Sequence, residues 1–161
     1  MIRPAEPRDI PTILAIWNPI IQDTSITFTT TLKTTESLAA DLAAKAAANH
    51  PFLVVEEGGE AKGFATYGTF RSGPGYARTM EHTIILGPKA RGKGAGRQLI
   101  EALCTHARTQ GIHSLIGGVS AENTDGIAFH ARVGFTEIAR LPEVGYKFNR
   151  WMGLVLMQRM L

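Results

Sequence analysis

Arg91-Gly92-Lys93-Gly94-Ala95-Gly96-Arg97 is the stretch that decides how this chain is read. Its three glycines in five positions let successive backbone N–H groups converge on one anion. Upstream, Thr79 to Leu86 is a β-branched, apolar run that reads as a strand and ends at Gly87-Pro88. Downstream, an amphipathic helix runs to about Gln110 and stops at Gly111. A strand, a glycine turn and a helix N-terminus together make a phosphate site, with Arg91, Lys93 and Arg97 as counter-charge. The alternative is a flexible basic turn without a ligand.

Two familiar phosphate patterns fail here. Gly87 to Gly94 approaches GxxxxGK[ST], but Gly94 lacks the hydroxyl that would hold magnesium. GxGxxG fails because Arg97 stands where its third glycine belongs. Arg-x-x-Gly-x-Gly, read as Arg91, Gly94 and Gly96, does fit.

The rest of the chain alternates in the same way. Ile2 to Ala5 reads as a short strand and Arg8 to Gln22 as a helix with Ile10, Ile13, Leu14, Trp17 and Ile21 at helical spacing. Thr24 to Thr35 reads as extended chain or loop, and Thr35 to Asn49 as an Ala- and Leu-rich helix. Phe52 to Val55 and Ala61 to Phe70 form a hairpin through Gly58-Gly59, and Arg71 to Ala77 is a loop. Ser114 to Val119 is a strand and Asn123 to Val133 a short helix. Phe135 to Leu141 and Met152 to Leu161 are the last strands. The expected class is α/β, a mixed sheet with helices on both faces, in one domain spanning residues 1–161.

Composition narrows the function. The 161 residues are 44% hydrophobic and 19% charged, with a net charge of +3, which suits an anionic ligand but is weak for nucleic acid. No apolar run reaches the ~20 residues of a membrane span, and Met1 to Glu6 does not read as a signal peptide. Cys104 is the only cysteine, so no internal disulfide is possible and a reducing cytoplasm is expected. Cys104 and His106 lack metal-site spacing and the other histidines are scattered, so no metal is expected.

The Arg91 to Gly96 turn resembles the pyrophosphate loop of the GCN5-related N-acetyltransferase (GNAT) superfamily. Asn123, Ile127-Ala128-Phe129-His130 and Gly134-Phe135 resemble its second signature. Ile2-Arg3-Pro4-Ala5, Met80-Glu81-His82-Thr83, Phe129-His130 and Val144 to Trp151 are similar to the phosphinothricin and methionine sulfoximine acetyltransferase group. Gly126 and Leu86-Gly87 depart from the usual pattern.

The resemblance implies a mostly antiparallel sheet, splayed where acetyl-CoA binds. It implies cofactor contacts from Ile84, Ile85, Leu86, Arg91, Gly92, Lys93, Gly94, Ala95, Gly96, Arg97, Asn123 and Ile127. It also implies a small amine substrate and a homodimer, with no nucleic-acid or membrane partner. Acyl transfer to an amine needs a base, an oxyanion donor and a proton for the thiolate. Glu81 is the candidate base and His130 the candidate acid, whereas His82, on the opposite sheet face from Glu81, reads as structural. Arg71 and Arg78 are candidates to clamp the substrate's acid group, or else solvated charges. Phe28 and Trp151 are candidate apolar walls, or else packing residues. Transfer to a protein or peptide amine, or acetyl-CoA sensing without catalysis, remain as alternatives.

Overall fold

The turns set the strand pairing. Gly58 and Gly59 both adopt left-handed backbone, with φ of 63° and 81°, so a two-residue turn joins β2 (Phe52–Glu57) to β3 (Glu60–Thr69). In this computed structural model, which describes all 161 residues, seven strands form one sheet. The others are β1 (Ile2–Pro4), β4 (Thr79–Leu86), β5 (Ser114–Ser120), β6 (Thr136–Lys147) and β7 (Arg150–Met160). Their order is β1-β2-β3-β4-β5-β7-β6, and only the β4–β5 pair is parallel.

The helices are α1 (Ile10–Asp23), α2 (Thr35–Ala47), α3 (Ala95–Thr109) and α4 (Thr124–Arg132). One core holds Leu99, Ile100, Leu103, Cys104 and Ala107 of α3 against the sheet, with Ile127 and Phe129 of α4 packed on its margin. A second core, on the other face, holds Ile10, Ile13 and Ile20 of α1 with Leu38 of α2 against Val54 and Phe64. Burial of these side chains, at about 25 cal/mol per Å² of apolar surface, is the main favourable contribution to folding. Cys104 is fully buried in the first core, as its helical spacing implies. No helix is long and apolar enough to cross a membrane.

One strand pair departs from the sequence reading. β6 does not end at Leu141 but runs on to Lys147, past an irregularity between Leu141 and Gly145 where Glu143 has a φ of 54°. It then turns back into β7 through Phe148 and Asn149, whose φ values of 54° and 56° make another two-residue left-handed turn. Val144 to Trp151 is therefore a β-hairpin end at the sheet's edge.

The parallel pair matters most for function. β4 and β5 are in register only from Thr79↔Ser114 to His82↔Gly117. Beyond that, β4 stays paired with β3 as far as Leu86↔Gly63, while β5 stays with β7. The sheet splits there, leaving the outward amides of residues 83–86 without a strand partner.

Candidate active site

The split between β4 and β5 opens a cleft of about 220 Å³. Glu81 and His82 both line it, although neighbouring strand residues point to opposite faces. The opening reaches through the sheet: Trp17, Thr27 and Thr29 wall it on the α1 side, Asn123 and His130 on the α4 side. Thr83, Ile84 and Ile85 contribute the unpaired half of β4.

Partial burial raises the Glu81 carboxyl above the usual carboxylate range, which makes it a stronger base. No hydrogen bond or ion pair engages this carboxylate within the chain.

His130 has a different environment. Its Nδ1 lies 2.7 Å from the Gly126 carbonyl, which can only accept, so Nδ1 carries the proton. Its Nε2 lies 3.1 Å from Nε2 of His82, so His82 donates through Nε2. Both rings are 6% exposed, and His82 Nδ1 is buried without a partner. A proton added to His130 would set two N–H groups face to face; one added to His82 would have no acceptor. Burial, together with the neighbouring ring, pushes His82 down to about 3, and burial lowers His130 as well.

In this arrangement both nitrogens of His130 are bonded within the protein, and His82, read from the sequence as structural, supports His130 and also lines the cleft. The pair fits because Gly117 stands beneath it, where a Cβ would lie 2.8 Å from His82 Nε2 and 3.3 Å from the His130 ring.

Asn123 caps α4, its side-chain oxygen accepting from the Gly126 amide at 3.0 Å. The Asn123 side chain lies so close over Gly126 that any Cβ there would collide with it, which accounts for glycine at that position. Gly87 has a similar reason: its amide donates to the Lys62 carbonyl at 2.8 Å, and a Cβ would lie 2.9 Å from that oxygen.

The glycine turn forms a second hollow of about 230 Å³, between the starts of α3 and the end of α4. Gly92 and Gly94 have φ of 74° and 82° and open space where a Cβ would stand. The amides of residues 92–97 donate to no backbone carbonyl, so they form a donor-lined cradle at a helix N-terminus. Gly96 is needed for closeness, because the Phe129 ring lies 2.8 Å from its would-be Cβ. Arg97 also reaches the carbonyl of Arg132 at 2.9 Å, and Arg132 joins the lining, a cation that motif spacing did not mark. Arg91 folds back on the Leu86 carbonyl at 3.3 Å, and Lys93 stands 3.8 Å from Glu57. Ile127 packs against the α3 core beside this hollow.

This arrangement joins a cradle of unpaired amides at a helix N-terminus to a cleft with a strand opened along one edge and a carboxylate of raised basicity. The acetyltransferase (GNAT) family profile matches residues 17–135. The chain belongs to the GNAT acetyltransferase family. It is an N-acetyltransferase. The chain is 37% identical to the L-methionine sulfoximine/L-methionine sulfone acetyltransferase of Pseudomonas aeruginosa over 158 residues, 98% of this chain and 92% of that protein. Its fold matches the crystal structure of a ribosomal-protein-alanine N-acetyltransferase from Brucella melitensis with a TM-score of 0.96 at 37% identity, covering 100% of this chain and 99% of that one. It also matches a phosphinothricin acetyltransferase from Sinorhizobium meliloti, solved in complex with acetyl-CoA, with a TM-score of 0.93 at 27% identity, covering 100% of this chain and 88% of that one.

Three of the four expected substrate contacts lie elsewhere in this acetyltransferase. Arg78 donates to the Gly111 carbonyl at 3.1 Å and so holds the turn after α3. Trp151 is 60% exposed and packs edge-on against Tyr146 on the hairpin's outer face. Phe28 lies on Gly145 of that hairpin, where any Cβ would overlap its ring, and its neighbours Thr27 and Thr29 face the cleft instead. Arg71 sits on the loop leading to Glu81 with its guanidinium 5.7 Å from the Tyr76 ring and no ion pair.

Proposed function

We propose that residues 1–161 act as one acetyl-CoA-dependent transferase whose acceptor is the amino group of a small amino-acid-like molecule of the methionine sulfoximine, methionine sulfone or phosphinothricin type. The observation that carries this reading is the cleft itself: about 220 Å³, with Glu81 inside it and residues 26–29 closing one side.

Acetyl-CoA supplies the activated acetyl group. The amides of Gly92 to Gly96, with Arg91, Lys93 and Arg97, hold its pyrophosphate. The unpaired edge of Ile84 to Leu86, with Asn123, holds the arm that leads to the thioester. Glu81 removes the ammonium proton, directly or through a water, so that the amine can attack the acetyl carbon; the C–S bond then breaks, the second amine proton is lost, and coenzyme A leaves as its thiolate, which takes up a proton from solvent to end as the thiol. Unpaired amides of β4 face the carbonyl oxygen where charge develops. Arg71, with a free guanidinium fork, is the cation to pair with the substrate's acid group.

The enzyme works as a homodimer in the cytoplasm. Val144, Tyr146, Phe148 and Trp151, each more than half exposed, form an apolar patch on the hairpin, next to the unpaired edge of β6.

A second reading, transfer to a protein N-terminus, is favoured by the Brucella relative's name. Thiol release from acetyl-CoA with both amine classes separates the two. The expected panel result is turnover of methionine sulfone, methionine sulfoximine or phosphinothricin, weakened by Arg71→Ala, from protein whose solution mass is that of two chains. Preference for a peptide with N-terminal alanine would reverse the assignment.

The loop assignment has its own test. Gly94 needs φ of 82°, which a β-branched residue adopts only under strain. Open space around its would-be Cβ means that Gly94→Val distorts the cradle rather than clashing. The acetyl-CoA dissociation constant is expected to rise at least about tenfold, near 1.4 kcal/mol. Unchanged affinity by calorimetry in a folded variant would remove the loop from the cofactor site.

A further inference from the structure

Lys147 is 2% exposed, yet it carries an ammonium group. Its Nζ donates to the carbonyls of Ile21 at 2.6 Å, Thr24 at 2.6 Å and Thr27 at 2.8 Å, which uses all three of its protons. No carboxylate stands within ion-pair distance; Asp23 contributes only a longer-range attraction. A charge buried without a paired anion is costly unless its donors are satisfied. Here they meet the C-terminal end of α1, whose last carbonyls have no helical partner and carry the negative end of the helix dipole.

The three carbonyls mark the path from α1 into residues 24–34, the segment that brings Ile26, Thr27 and Thr29 to the cleft. Its far end is fixed separately, by Asn18 bonding both the amide and the carbonyl of Lys33 at 2.9 Å. Beside Lys147, the close seat of the Phe28 ring on Gly145 forms a second contact between hairpin and segment. These contacts, from residues two apart on β6, hold the segment to a strand more than a hundred residues later in the chain.

We infer that Lys147 is a positioning residue for the acceptor half of the active site, holding the wall formed by residues 26–29 in place from the β6–β7 hairpin. The inference rests on the transferase reading of the cleft. It separates the two substrates' sites: the phosphate cradle lies at the start of α3 and has no contact with Lys147.

The test compares wild type with Lys147→Met, which keeps an unbranched side chain one atom shorter and loses the charge and its three donors, and Gly145→Ala, which leaves Lys147 intact but pushes Phe28 away. Steady-state constants are measured for the best amine and for acetyl-CoA, and hydrogen exchange is followed by mass spectrometry on the free protein. Both variants are expected to raise KM for the amine roughly tenfold or more while KM for acetyl-CoA stays within about twofold. Amides of residues 25–31 should exchange faster in both, with α3 unchanged. A loss confined to stability or active fraction, or equal changes in both KM values, would overturn the inference, as would unchanged exchange in residues 25–31. If Lys147→Met does not fold, Lys147→Gln, which loses the charge but keeps an amide donor toward the carbonyls, decides by the same two measurements. If wild type acetylates no amine, the functional reading fails, and the exchange data still decide whether hairpin and segment are tied.

Discussion

Glu81→Gln is expected to lower turnover by about 10²–10⁴-fold, the range for removing a general base. The substitution keeps the size and polarity of the side chain, so the cleft should keep its shape. Acetyl-CoA affinity should hardly change, because the phosphate cradle lies between α3 and α4, beyond the end of β4. The pH profile tests the role itself. Burial raises the carboxyl above its ordinary value, so Glu81 gains strength as a base. A chain N-terminus has a reference pKa of ~7.7–8.0, the ammonium of a free amino acid titrates above that because its own carboxylate stabilises it, and at pH values above its pKa the free amine needs no help. The defect should therefore be largest near pH 7 and shrink as the pH rises. Full activity of the variant near pH 7 would pass the role to water or to another residue.

The glycine turn was legible because everything it needs is consecutive. Left-handed glycines, exposed amides and a helix start are local properties, and Gly92, Gly94 and Gly96 announce them. The strand order around the split follows from the same segment, since a parallel β4–β5 pair requires the α3 crossover. The hairpin at Phe148-Asn149 gave no such signal. Its left-handed turn lacks glycine, and the sequence reading ends the strand at Leu141, where the structure has an irregularity within it.

Side-chain roles were less legible than backbone ones. His82 and His130 are 48 positions apart, and their contact exists only because the sheet opens beside Gly117. Alternation along β4 correctly sets Glu81 and His82 on opposite faces, but it cannot show that a gap joins those faces. Arg78 and Trp151 carry the right chemistry for a substrate site, and tertiary contacts direct both elsewhere. Lys147 gave the least sign of its place, because a lysine in an alternating strand usually reads as a solvated one.

His130→Ala is expected to be the most destabilising single change in the site. It leaves a cavity between Phe129 and Phe135, which flank the ring at centroid distances of 5.3 Å and 5.2 Å, and strands the buried Nε2–H of His82. Together these effects should cost about 3 kcal/mol, or a fall in Tm of roughly 10 °C for a chain of this size. The kinetic signature should be that of lost wall geometry. With both ring nitrogens bonded within the protein, the neutral His130 presents no spare N–H to the thiolate, so the defect is expected to be the same for acetyl-CoA and for an acetyl donor with a more acidic thiol. A markedly smaller defect with the acidic donor would restore His130 as the acid. The pair also sets the acid limit of stability. Both histidines are held neutral when folded, with pKa values below the unfolded ~6.5. The unfolded chain therefore binds more protons as the pH falls below ~6.5, and stability declines from there toward the folded value of about 3 for His82. Above ~6.5 both states carry neutral rings and the contribution is flat. His82→Phe should flatten the acid limb of a Tm-against-pH curve, whereas a limb as steep as that of wild type would mean that the carboxylates, not the imidazoles, set it.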